Sequence, residues 1–321
     1  MKAQLWHNGP YLHALGWLNA DYSVTAAAMS AAWQGQHGPV DFDGAGGYAL
    51  RQGERLPDAL PPAIGRASGV ARARSAAQST VYAALLGKGL LQTLPEARHA
   101  GERLGVAIAS TSDTTGISHE FEASGVRLGW SKTDTMLLPS SIPSAITTQT
   151  SAVFDTHAAA LAFGDGAMGL CAALEYAYLS FLHQRSDAFV VIGADETCTV
   201  QTQALAALDD RRPRTTGASG LLLTRTPPAS GARWQLVLCA QAAYGEPIAL
   251  PAGWHDATRL TVAIANTLHI YTAPLIALAV HQLLRDAARR ALLFFTMHGA
   301  AGDSSFVLGF ECTNQAAEAG S

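Results

Sequence analysis

The stretch AALAFGDGAMGLCAALEYAYLSFLHQRSDAFVVIGADE, residues 159–196, decides the fold. Residues 158–163 are an apolar run, and residues 164–166 form a glycine-bounded turn. Strong helix formers then run from Ala167 to Leu182. After a short polar break, Ala188-Phe189-Val190-Val191-Ile192 reads as a buried strand that stops at Gly193. Strand, tight turn, helix and strand in that order predict parallel strands joined by a right-handed crossover.

Outward from this unit, the pattern keeps alternating. Upstream, Ser75 to Leu94 is alanine-rich and nearly free of breakers, which predicts a helix ending before Pro95. Residues 106–110 read as a small strand followed by the polar stretch Thr111 to Thr115, and Pro139 to Ala145 as a loop entering a helix. Residues 1–75 carry scattered glycine and proline, including Gly44 to Gly47, and read as an irregular lead-in with a short strand or two. Downstream, residues 221–224, 234–239 and 260–265 read as strands, Thr272 to Arg290 as a helix, and 291–297 and 306–310 as closing strands. Strands and helices alternating in both halves imply an α/β sandwich with largely buried sheets.

Composition bounds what such a fold can do. The chain has 321 residues, 49% hydrophobic and 14% charged, enough to bury a large core or two fused ones and too apolar for disorder. Net charge is −4, and the 21 Lys and Arg are dispersed except at Arg211, Arg212 and Arg214 and at Arg289 and Arg290. That excludes the basic stripe a nucleic-acid surface needs. No stretch approaches the roughly 20 apolar residues of a membrane span, and Lys2, His7, Asn8, Pro10 and His13 interrupt any secretory core at the start. Cys171, Cys198, Cys239 and Cys312 lie far apart without a CxxC pair, so neither a zinc site nor a disulfide framework is expected, and a reducing cytoplasm fits.

Three features invite a chemical reading. Residues 164–169, GDGAMG, satisfy G-x-G-x-x-G, with Asp195 and Glu196 ending the next strand, which is the context of an NAD(P)-binding oxidoreductase. The simpler reading makes Asp165 a helix N-cap and the glycines the means of a tight turn. Cys171 lies a turn into an all-round apolar helix and reads as a packed thiol, away from the first turn where a thiolate is favoured. His298 ends an apolar strand before Gly299-Ala300-Ala301-Gly302, at a loop mouth suited to a polar role. No HxxxH or HExxH spacing occurs, so no metal is expected, and the lack of a G-x-S-x-G elbow removes the commonest serine-hydrolase reading; no cofactor is expected.

The order of several segments resembles the β-ketoacyl synthases of the thiolase superfamily. Leu138-Pro139-Ser140-Ser141-Ile142-Pro143-Ser144-Ala145-Ile146 looks like the loop and helix start that precede the nucleophile. Residues 189–196, FVVIGADE, resemble the strand after the nucleophile helix, and residues 272–279, TAPLIALA, the segment that in active synthases reads Thr-Gly-His. Gly299 to Phe310 stands where the family has its glycine-rich loop. The resemblance implies a thiolase-like fold, with two pseudo-repeated α/β halves in a layered α/β/α/β/α arrangement. The N-terminal half would cover residues 1–225 and a shortened C-terminal half residues 226–321.

The departures from that pattern define the expected function. The resemblance puts Gly166 at the nucleophilic cysteine, Pro274 at the histidine after the threonine and His269 at the lysine, and the other His-Gly-Thr motif is missing. Thiolate and imidazoles are what accept the acyl chain and stabilise its oxyanions. A ketosynthase-like chain without them is similar to the chain-length factors, as in aryl-polyene and type II polyketide systems. Those pair with an active synthase as a heterodimer, meet the acyl carrier protein indirectly, and limit product length by closing an apolar tunnel. By resemblance, Met136, Leu137 and Leu138 supply the tunnel and interface, with Ser112 lining the neighbouring turn. The rival enzymatic reading is an acyltransferase or condensing enzyme using Cys171 or His298.

Overall fold

A computed structural model describes residues 3–19, 62–94, 103–110, 114–142, 144–164, 166–196, 217–228, 233–242, 246–265, 287–298 and 304–313, with a few single positions besides. The segment that opened the sequence analysis forms β3 (Ala160–Phe163), α6 (Gly166–Leu182) and β4 (Ala188–Asp195). The two strands are parallel but not adjacent: β2 (Leu104–Ala109) lies between them and pairs with both. Before this unit come β1 (Tyr11–Asn19), α1 (Pro62–Ser68) and α2 (Gln78–Leu91), and between β2 and β3 lie α3 (Thr115–Leu128), α4 (Leu138–Ser141) and α5 (Ala145–Val153). After it come β5 (Gly217–Thr224), β6 (Trp234–Ala242), β7 (Thr258–Ala265), β8 (Arg290–His298) and β9 (Ser304–Cys312).

The nine strands run in the order β3-β2-β4-β5-β1-β6-β9-β8-β7. Read outward from the middle, β1, β5, β4 and β2 pair antiparallel, antiparallel and then parallel. The sequence β6, β9, β8, β7 repeats the same pattern in the other direction. The two series meet where β1 and the residues before it run along β6: Tyr11 pairs with Gln235 and Leu5 with Leu238, and the Leu236 and Trp6 N–H groups donate to the Pro10 and Val237 carbonyls at 2.8 and 2.7 Å.

Burial explains why this arrangement is layered. Along β2, β4 and β5, alternate residues point to opposite faces, and both faces are covered. Val106, Ile108, Val190, Ile192 and Leu222 meet α2 through Val81, Leu86 and Leu90. Ala107, Ala109, Phe189, Val191, Leu221 and Leu223 meet α6 instead. The far side of α6 packs on the second series through Leu236, Leu293, Phe295, Phe306, Leu308 and Phe310, with Val280 and Leu283 beside it. Thus α6, apolar nearly all round, lies between two stretches of sheet, giving the layered thiolase-like α/β order the resemblance implied. On the outer face of the second series the described cover is Ala3, Trp254 and Ala257 over Val237, Ala240, Leu292 and Val307.

The two ends of the sheet differ. At one end, β3 exposes Ala160 and Ala162 and has no strand beyond it among the described residues. At the other, β7 exposes Arg259 and Thr261, and the Arg259 guanidinium lies 6.0 Å from the Phe294 ring centre. Charged side chains on an edge strand blunt further pairing, and small apolar ones do not.

The lead-in contains more order than its composition suggested: β1 is nine residues long and occupies the middle of the sheet. The helix expected over Thr272–Arg290 overruns its end, because Ala287 to Arg289 are not helical and Arg290 begins β8; most of that segment lies outside the described residues.

Close approach of α2 to α5 rests on Gly87, where an added Cβ would collide with the Phe154 ring. In an open helix, glycine to alanine gains about 0.5–1 kcal/mol; here overpacking should win. Gly87→Ala is expected to cost about 1–3 kcal/mol in urea unfolding, and adding Phe154→Leu should recover most of the loss.

Candidate functional site

The carboxyl ends of β2 and β3 open onto a pocket of about 710 Å³. Crevices at this end of parallel strands are where α/β sheets bind ligands, because the loops and helix starts there converge. Its floor is apolar, from Ile108, Ile146, Ala162 and Phe163, and its wall is rich in hydroxyls, from Ser110, Thr114, Thr115, Ser118, Ser141 and Ser144. Three helices begin around it: α3 at Thr115, α5 at Ala145 and α6 at Gly166. Gly164, in the turn between β3 and α6, faces open space in the pocket. Gly169 is required for another reason, since a Cβ there would collide with the Gly164 carbonyl oxygen and push the first turn of α6 away.

Hydroxyl hydrogen bonds hold the wall. Thr114 Oγ1 and Ser118 Oγ both donate to the Ser141 carbonyl, at 3.1 and 2.7 Å, tying α4 to α3. Gln149 Nε2 donates to Ser140 Oγ at 3.0 Å, tying α4 to α5. The segment bearing Met136, Leu137 and Leu138 therefore borders the pocket through Ser141. Within it, Leu137 is buried in the protein's own interior, while Met136 and Leu138 are exposed at 41% and 49%, and Ile142 beside them at 51%. The backbone N–H of Met136 donates to Asp134 Oδ1 at 2.9 Å, and Arg72 reaches Met136 Sδ at 3.5 Å.

Two buried acids support the site from below. Asp195 is fully buried at the end of β4 and accepts from Ser110 Oγ at 3.0 Å. Glu196 accepts the Ser79 N–H at 3.2 Å, in the first turn of α2. Its other oxygen lies against Gly116 in the first turn of α3. A carboxylate between two helix starts meets the positive ends of both dipoles. Both acids thus have structural work, which removes the ribose-binding role that the dinucleotide reading required of them. The resemblance over Leu138–Ile146 pointed to the segment that carries Ser141 and Ser144, whereas Ser110 and Ser118 gave no signal, because isolated hydroxyls have no spacing rule.

Of the residues singled out from sequence, Gly166 opens α6 at the pocket side, and residues 164–169 contain no cysteine. Cys171 is wholly buried and does not line the pocket, so no acyl group reaches it from there. Its sulfur lies 3.0 Å from that of Cys239, a neighbour that sequence separation concealed. His298 is the last residue of β8, in register with Ala265. Ser112, Asp165, His269 and Pro274 lie outside the described residues. No helix among the described residues is long and apolar enough to cross a membrane.

No protein-family model and no curated protein matches the chain. Solved structures do. The ishigamide ketosynthase/chain length factor is 12% identical, with a TM-score of 0.65, over 95% of this chain and 99% of that one. A type II polyketide synthase acyl-carrier protein in complex with its ketosynthase bound to the hexaketide matches at 10% identity and TM-score 0.63, over 95% and 99%. A ketosynthase in complex with its chain length factor from Xenorhabdus doucetiae matches at 11% and 0.53, over 94% and 99%. At these identities the likeness establishes the fold alone: a ketosynthase-like α/β fold over about 95% of the chain.

Burial and the neighbouring Glu196 push the Tyr82 phenol above its ordinary value of 10.0, and its hydroxyl has no hydrogen-bond partner among the described residues. A raised acid stabilises the fold fully below pH 10 and loses that contribution as pH rises further, by up to about 1.4 kcal/mol per unit. Tyr82→Phe is expected to be near neutral at pH 7 and to unfold less readily than the parent at pH 11, as read by circular dichroism against urea.

Proposed function

We propose that this chain is a non-catalytic ketosynthase-like subunit that pairs with an active β-ketoacyl synthase and closes the far end of its acyl tunnel, in the manner of a chain-length factor. What supports the reading is a ketosynthase-like fold together with a helix start, residues 164–169, that contains no cysteine. The helix start that bears a sulfur in condensing enzymes here reads Gly164-Asp165-Gly166-Ala167. Condensation needs a thiolate to hold the growing chain, and glycine has no side chain to acylate.

The surface supports pairing. Thiolase-fold proteins generally associate through a sheet edge and flanking helices, and β3, an edge strand among the described residues, exposes Ala160 and Ala162 and carries no lysine or proline to repel a neighbour. Val126, Leu128, Trp130, Met136, Leu138 and Ile142 add large exposed apolar side chains within one short span of chain. Exposed apolar area of this kind marks an interface. Because Leu137 faces inward, Met136 and Leu138 are the two residues of that segment that reach a partner's tunnel, with Leu137 holding them in place. The chain divides functionally at residues 225/226, the acyl carrier protein docks on the synthase rather than here, and the pair works in the cytoplasm.

Co-expression with ketosynthases carrying an intact cysteine should yield a one-to-one complex, and Ala162→Arg on β3 should abolish it. Incubation of the pair with acyl-carrier thioester, followed by intact-mass analysis, should find the acyl group only on the synthase; an adduct on this chain overturns the reading. Leu138→Ala should lengthen products and Leu138→Trp shorten them, whereas Leu137→Ala should mainly cost stability, about 2–5 kcal/mol.

A further inference from the structure

Cys171 and Cys239, 68 residues apart, meet in the central layer with their sulfurs 3.0 Å apart. Cys171 is in the second turn of α6 and Cys239 on β6, so the contact joins the first strand series to the second. Local geometry aims them at each other. The register of β6 against β9 shifts between Leu236 and Leu238, and the extra residue puts Cys239 on the α6 side together with Leu236. Regular alternation would have turned Cys239 to the opposite face. Glu175, one turn along α6 from Cys171, brings its carboxylate within 4.8 Å of both sulfurs and is itself only half-buried.

The surroundings select among the uses of such a cluster. Burial pushes the Cys239 thiol well above its ordinary range, which disfavours a thiolate there. A bound cation would need thiolates and would carry its charge into a core of Leu174, Phe189, Leu236 and Phe306. A disulfide is neutral and fills the same space. We propose that Cys171 and Cys239 form a reversible disulfide that staples the helix of the first series to the sheet of the second, with Glu175 accepting the thiol proton.

A peroxide serves as oxidant. One thiol gives its proton to Glu175 and its sulfur attacks a peroxide oxygen; the O–O bond breaks, Glu175 passes the proton to the departing hydroxide so that water leaves, and a sulfenic acid remains. The second sulfur then displaces the sulfenic oxygen, which leaves as a second water. Two thiols and one peroxide thus give one disulfide and two waters, and a dithiol reductant reverses the change. Desolvation raises the Glu175 carboxyl, which suits it to accepting a proton. The bond would tie down a long loop of the unfolded chain.

The test uses the full chain, reduced and then treated with hydrogen peroxide, unfolded, alkylated and digested. Two of the four cysteines should resist alkylation, with the peptides of Cys171 and Cys239 linked and two hydrogens lost. Dithiothreitol should undo the link, and the oxidised protein should melt about 5–10 °C higher than the reduced one. A Cys198→Ala/Cys312→Ala variant should still close, and Cys239→Ala should not. Glu175→Gln should slow closure roughly tenfold without changing its final extent; an unchanged rate removes Glu175 from the step. Full alkylation after peroxide, or a link through Cys198 or Cys312, overturns the proposal. So does stoichiometric zinc held by the reduced protein and lost in Cys239→Ala. None of these outcomes depends on the acyl-tunnel reading, which is tested by complex formation and product length.

Discussion

A helix that is apolar on two opposite sides must be covered on both, and that requirement governs this molecule. Leu170, Cys171, Leu174, Ala177 and Phe181 of α6 are all buried, and it meets water through the half-buried Glu175 and, near its carboxyl end, through Leu179 and Leu182. One stretch of sheet covers one side of it, the mirrored stretch covers the other, and their continuity through the middle of the sheet needs only a short seam of backbone pairs between β1, the residues before it and β6. Hydrophobic burial is strong enough to hold that seam because both flanks press on the same helix.

The same packing positions the pocket. Once α6 is seated, its first turn is set against Gly164, and the ends of β2 and β3 lie beside the starts of α3 and α5. Buried carboxylates would be costly here without partners. Glu196 instead receives the first turn of α2 and lies against that of α3, so the charge that anchors two helices also shapes the ground beneath the hydroxyl wall.

Much of this was legible in residue order. Helix formers with no polar face identified α6, continuous β-branched and aromatic residues identified β4, and the segments resembling ketosynthases pointed to the layered fold. The misses have physical reasons. β1 was obscured because His13 and Gly16 interrupt its apolar residues, and only the neighbours β5 and β6 make it a central strand. The place of β2 between β3 and β4 is a long-range choice that no local pattern records. The meeting of Cys171 with Cys239 depends on a bulge one residue long. The pocket wall was likewise hidden, since Ser118, Ser141 and Ser144 come together only when α4 is drawn onto α3.

The unequal ends of the sheet also limit how far it can grow. A strand ladder with two receptive ends adds units without stopping and becomes a filament. Here Arg259 stands guard at one terminus, while Ala160 and Ala162 leave the other open. A sheet with one receptive end can be extended there only once, so this asymmetry works against open-ended polymerisation.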